Sequence, residues 1–145
     1  MYYLAYGSNL NVRQMAIRCP EAKPIEAVVI EGWHLVFRGV ADIEPKTDGM
    51  LSAGIWKITD KCEKALDAYE GFPRLYGKIF FNFEVQGKMQ RVMSYQMNRS
   101  NYAYPSKSYY DCIADGYRDF NLNTKFLEQA RNTTKPSKYN YFFSF

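Results

Sequence analysis

The chain has 145 residues, enough for one domain, and 47% of them are hydrophobic against 23% charged, which excludes an intrinsically disordered segment. The net charge of +4 comes from scattered basic residues rather than a concentrated basic face, so the composition does not point to nucleic acid. One histidine, His34, and three cysteines, Cys19, Cys62 and Cys112, with no CxxC pair argue against a zinc centre and a disulfide framework.

Tyr2 to Tyr6 is an aromatic and aliphatic run that predicts a buried strand. It stops at Gly7-Ser8-Asn9, a tight polar loop in which Gly7 is free to take backbone angles other residues avoid. Asn11 stands three residues before Gln14, a capping spacing, so a helix is expected over Val12 to Arg18, ended by Cys19-Pro20. Strand, loop and helix in this order gather backbone N–H groups at the positive end of a helix. Such a spot suits a carboxylate, a phosphate or a developing oxyanion.

Lys23 to Ile30 is β-prone, Glu31-Gly32 marks a bend or bulge, and Trp33 to Val40 continues as strand. Ala41 to Gly49 is rich in charge and reads as a polar loop, followed by a strand over Met50 to Ile58. Thr59-Asp60 opens a helix in which Asp60 and Glu63 form a capping box and Cys62, Leu66 and Tyr69 recur at helical spacing. It ends at Tyr69-Glu70, ahead of Gly71.

After the connection Phe72 to Tyr76, Lys78 to Val85 alternates, Gln86-Gly87 turns, and Lys88 to Met97 returns as its partner strand. Asn98 to Tyr104 reads as a loop. Pro105-Ser106 opens a helix with the stripe Tyr109, Cys112, Ile113, Tyr117 and Phe120, and a short helix follows over Thr124 to Arg131. Residues 1–134 thus read as one domain of five or six strands and three or four helices. Residues 135–145 read as an aromatic tail that packs on an edge strand or a partner chain.

No apolar run approaches 18 residues, so no membrane span is expected, and the N-terminus reads as a strand rather than a signal peptide. The cysteines are read as reduced core residues, Cys112 on its apolar stripe, and the protein as cytoplasmic. Without a secretion signal, the glycosylation patterns at Asn98 and Asn132 are taken as chance matches.

Among side chains that carry chemistry, Glu70 stands out. A carboxylate at a helix C-terminus meets partial negative charge, and aromatic neighbours Tyr69, Phe72 and Tyr76 would desolvate it. Both effects push its pKa toward neutrality, where one group serves as base and as acid. His34, embedded in a strand, reads as structural, and Ser8 has no evident base beside it.

The motifs Tyr6-Gly7-Ser8-Asn9-Leu10, Leu66-Asp67-Ala68-Tyr69-Glu70-Gly71 with Tyr76 close behind, and Pro105-Ser106 leading to Tyr109, Ile113, Gly116 and Tyr117 lie in one order over roughly residues 1 to 120. In this the chain resembles the γ-glutamylcyclotransferase-like, or avirulence-induced-gene-2-like, proteins. The resemblance implies an α+β fold, a small mixed β-barrel with surrounding helices, and a pocket at one barrel end. It implies an intramolecular reaction in which the α-amine of a γ-glutamyl group attacks its own γ-carbonyl to give 5-oxoproline and a free amine or amino acid. Carried over, Glu70 is the general acid/base, Tyr6, Gly7, Ser8, Asn9 and Leu10 hold the substrate, and Tyr76 and Tyr109 are pocket tyrosines.

No metal and no cofactor is implied. The partner is a small γ-glutamyl compound, and the protein is a monomer or a homodimer. Compact loops in a short chain favour an open pocket and a bulky leaving group such as a γ-glutamylamine. The competing reading is a non-catalytic binder of a small acidic metabolite on the same fold.

Overall fold

A computed structural model describes residues 1–98 and 101–134. The aromatic tail at 135–145, and residues 99 and 100 of the loop expected after Met97, lie outside the described residues. The architecture is α+β: one five-stranded mixed sheet and four α-helices among the described residues.

Strand β1 (Tyr2–Ala5) is central, and Tyr3, Leu4 and Ala5 are buried, as its unbroken apolar run requires. It lies antiparallel to β3 (Ala41–Lys57), with Tyr2 opposite Lys57, and parallel to β5 (Lys88–Met97), with Tyr2 opposite Val92. Strand β2 (Lys23–Phe37) and strand β4 (Tyr76–Val85) form the edges, giving the order β2-β3-β1-β5-β4.

Two expectations from the sequence change here. Ala41 to Gly49 is strand, not loop: β2 and β3 form one long hairpin in which Phe37 faces Ala41 and Trp33 faces Pro45. Two of the charges that suggested a loop, Asp42 and Glu44, are engaged across the hairpin. Arg38 bonds Asp42 Oδ2 at 2.8 Å and Glu44 Oε2 at 3.0 Å, and His34 Nε2 meets Glu44 Oε1 at 3.0 Å. The bulge expected near Glu31-Gly32 is present, with Gly32 at φ +84° and a register shift between Glu31 and Trp33.

The second change concerns closure. The sheet curls until Trp33 of β2 meets Phe81 of β4 edge to face at 5.3 Å, yet no hydrogen-bonded ladder joins those strands among the described residues. It is an open curled sheet, not a closed barrel.

Helix α1 (Val12–Arg18) is capped as expected, Gln14 N–H donating to Asn11 Oδ1 at 3.0 Å. Helix α2 (Asp60–Glu70) is capped by Thr59 rather than Asp60: Cys62 N–H donates to Thr59 Oγ1 at 3.2 Å. Glu63 turns instead to Lys78 Nζ, 2.9 Å away. Gly71 ends α2 at φ +67°, a left-handed residue that glycine adopts without strain. Helix α3 (Lys107–Asp119) and helix α4 (Thr124–Asn132) complete the fold.

Helix α3 fixes the loop after β1. A Cβ on Gly116 would lie 2.6 Å from Leu10 Cβ and 2.7 Å from the Asn11 nitrogen, so helix and loop meet backbone to backbone. Asn11 Nδ2 donates to the Cys112 carbonyl at 3.0 Å, and Val12 N–H to Asp119 Oδ2 at 2.9 Å. Cys19 and Cys62 are buried and Cys112 is half-buried; all three thiols are free. No helix among the described residues is long and apolar enough to cross a membrane.

Candidate active site

The parallel pairing of β1 with β5 leaves the end of β1 opening into a cavity of about 510 Å³. Its wall is built from the β1 exit, the start of β3, the end of α2 and its following loop, the facing ends of β4 and β5, and the first turn of α3. Tyr6, Gly7, Ser8, Asn9, Glu70, Tyr76 and Tyr109 all line it. Leu10 does not: its side chain is fully buried in the core and its N–H donates to the Gly7 carbonyl at 3.0 Å, so the structure does not bring it together with the other expected substrate contacts.

Ser8 to Leu10 form a single 3-10 turn. Leu10 and Asn11 N–H close it on the Gly7 and Ser8 carbonyls, each at 3.0 Å, and the N–H groups of Ser8 and Asn9 stand outside those bonds, as the first donors of any helical turn do. Gly7 sits at φ −127°, so freedom in the left-handed region is not what it supplies. Its reason is space: a Cβ would lie 2.9 Å from Ala41 Cβ and 3.5 Å from the Tyr109 hydroxyl. Trp56 Nε1 donates to the Asn9 carbonyl at 2.9 Å and secures the turn from β3.

Tyrosines brace the rest. Tyr6 OH donates to the Tyr95 carbonyl at 2.6 Å, Tyr76 OH to the Ala41 carbonyl at 2.8 Å, and Ala41 N–H to Tyr109 OH at 2.9 Å. Tyr95 OH reaches Asp67 Oδ1 at 2.6 Å. Burial raises the pKa of Tyr3, Tyr6, Tyr76, Tyr95 and Tyr109, and the nearby Glu70 carboxylate raises each further. All five therefore stay neutral phenols near pH 7, able to donate hydrogen bonds without adding charge.

Glu70, the last residue of α2, lies against the loop. Asn9 Nδ2 donates to Glu70 Oε1 at 3.3 Å and to Tyr3 OH at 2.9 Å. Burial pushes the Glu70 pKa from its ordinary 4.5 up to about 7, and the positive charge of Arg18 pulls the other way. Burial, rather than the helix end, is the main cause. Glu70 is also the one acidic side chain among the described lining residues, which include the cations Arg38 and Arg74. Sequence reasoning passed over Arg18, Tyr3 and Trp56. Tyr3 and Trp56 read as ordinary core residues, and Arg18 as an ordinary helix-end cation.

A half-ionised carboxylate beside neutral hydroxyls and open amide donors can accept one proton and return it while a neighbouring oxyanion is held.

The family model of AIG2-like gamma-glutamyl cyclotransferases matches residues 3–116. Among solved structures the chain is similar to one titled gamma-glutamyl cyclotransferase, with 24% identity, 96% of this chain and 90% of the other covered, and a TM-score of 0.80. It is similar to an uncharacterised human protein at 25% identity, with 95% and 89% covered and a TM-score of 0.80. Bacillus subtilis YkqA shares 21% identity over 94% of this chain but 56% of its own length, at a TM-score of 0.76. No curated protein sequence matches.

Proposed function

The chain belongs to the AIG2-like gamma-glutamyl cyclotransferase family, and from that premise we propose that it cyclises a γ-glutamyl compound to 5-oxoproline. One observation carries the reading: Glu70, with a pKa near 7, and the Tyr6–Asn9 loop share one cavity and touch through Asn9 at 3.3 Å.

The chemistry asks little beyond shape and proton movement. The attacking amine and the γ-carbonyl belong to one molecule, so the cavity need only fold the glutamyl chain into its ring-closing form. Such orientation contributes up to about 7–11 kcal/mol in the best intramolecular cases. The α-amine, mostly protonated at neutral pH, gives one proton to Glu70 and attacks the γ-carbonyl carbon. The new C–N bond leaves the former carbonyl oxygen negative, and the Ser8 and Asn9 amides are suited to hold it. When the oxygen's electron pair returns, the old amide C–N bond breaks and Glu70 hands its proton to the departing nitrogen; the ring nitrogen's surplus proton then follows through the same carboxylate, leaving a lactam N–H and an ammonium product. Glu70 ends as it began, and a carboxyl half-ionised near pH 7 serves both steps.

Among the described residues the lining holds no acid but Glu70, and besides Arg38, which Asp42 and Glu44 engage, it carries the cation Arg74 on the exposed loop after α2. That favours a leaving group bearing a carboxylate, an amino acid or peptide, over the γ-glutamylamine that the compact loops suggested. Incubation with a panel of γ-glutamyl amino acids, peptides and amines is expected to yield 5-oxoproline and free amine in equal amounts. No product from any of them at high protein concentration overturns the proposal.

A further inference from the structure

Arg18 is the last residue of α1, and its side chain reaches back to the loop that α1 follows. Nη1 donates to Asn9 Oδ1 at 2.7 Å and Nη2 to Gln14 Oε1 at 3.0 Å. The guanidinium lies over the Tyr69 ring, 3.8 Å from Cζ to its centre. Tyr69 precedes Glu70 in α2, and its hydroxyl is 3.1 Å from Ser8 Oγ. One cation therefore holds both sides of the site, the loop through Asn9 and the helix end through Tyr69. Arg18 is not among the residues lining the cavity.

The consequence for Glu70 follows from amide chemistry. An asparagine side chain carries its acceptor on one side and its donors on the other. An arginine has no acceptor and does not lose its proton, so it accepts only the oxygen side of Asn9. Nδ2 must then face away from Arg18, toward Tyr3 OH and Glu70 Oε1. With the amide reversed, an oxygen would face the carboxylate.

Building on the cyclisation reading, we infer that Arg18 is the positioning residue of this site: it locks the Asn9 amide that holds Glu70 and keeps a permanent positive charge behind the carboxylate. That charge opposes the effect of burial on Glu70. The other groups around Glu70 do not replace it. Tyr3 and Tyr6 from the β1 end, Tyr76 from β4, Tyr95 from β5 and Tyr109 from α3 are neutral phenols. Of the lining cations, Arg38 is engaged by Asp42 and Glu44, and Arg74 sits on the exposed loop after α2.

The test compares wild type, Arg18→Gln and Arg18→Lys. Glutamate carrying ¹³C at the side-chain carboxyl is followed by NMR through a pH titration, with Glu70→Gln identifying the Glu70 signal. The wild-type midpoint is expected near 7. Arg18→Gln should raise it by about half a pH unit or more, the effect of losing one nearby opposite charge. The low-pH limb of kcat/KM should move up with it, because the ionised base is then less populated. Arg18→Lys keeps the charge and loses the fork, so its midpoint should stay closer to wild type while kcat falls with KM little changed.

A midpoint and limb unmoved in folded Arg18→Gln overturn the inference. If Arg18→Gln does not fold, Arg18→Lys decides: reduced kcat at unchanged KM supports the role, and wild-type kcat overturns it. If wild type releases no 5-oxoproline from any γ-glutamyl compound, the proposed function falls, and the NMR midpoints still decide what Arg18 does.

Discussion

Replacing Glu70 by Gln separates the energetic cost of the site from its chemistry. In the fold this carboxyl titrates near 7 instead of its ordinary 4.5. The raised value means the folded state prefers the protonated form, so ionisation weakens the wild-type fold. At roughly 1.4 kcal/mol per pH unit the full effect is about 3 kcal/mol, an upper bound because the cavity is open to water. The sign sets the window. Below about pH 4.5 the carboxyl is neutral in both folded and unfolded chains, and wild type and Glu70→Gln should show the same pH dependence. Between 4.5 and 7 the unfolded chain ionises first and wild type loses stability relative to the variant. Above 7 the gap is constant. Thermal melts of both proteins from pH 4 to 9 should show the variant gaining roughly 6–12 °C on wild type across that window, at about 2–4 °C per kcal/mol for a chain of this size. Parallel melting curves at every pH would mean that Glu70 behaves as a solvated surface carboxylate, and the proton-shuttle reasoning would fail with them.

Gly7→Ala should lower turnover at least about tenfold, since its Cβ would lie 2.9 Å from Ala41 Cβ and displace the loop, and small misplacements of bound groups are costly; steady-state kinetics on the folded variant check this. Gly116→Ala should destabilise by about 2–3 kcal/mol, because its Cβ would meet Leu10 and the Asn11 backbone, neither of which can swing away; urea melts measure it. Among γ-glutamyl substrates, those releasing a carboxylate-bearing group should have the higher kcat/KM. Arg74→Ala should narrow that preference by raising KM for them, and equal preference in wild type would remove the cavity argument for the leaving group.

How far the sequence could be read follows from which signals are local. The buried β1, the Asn11 cap and the Gly71 helix end are each set by a few adjacent residues, and the structure reproduces them. The Ala41–Gly49 segment misled because Asp42 and Glu44 are satisfied by Arg38, just past the end of β2, and by His34 within it, pairings that only the hairpin brings about. Gly39, at φ +81° in the turn between β2 and β3, was the overlooked punctuation. Glu70 drew notice for its place at a helix end, whereas its raised pKa comes chiefly from burial that depends on β1, β4, β5 and α3 converging. Leu10 shares a motif with its neighbours yet faces the core, since one 3-10 turn sends adjacent side chains in different directions. Arg18 gave no signal, because its partner Tyr69 is remote in sequence and helix-end arginines are ordinary.

The most direct measurement is the rate of 5-oxoproline release by wild type and Glu70→Gln, prepared together and assayed on the best substrate of the panel. If Glu70 moves the proton, the variant should lose about 10²- to 10⁴-fold in kcat while KM changes little. Turnover within a few-fold of wild type in the folded variant would contradict that role outright.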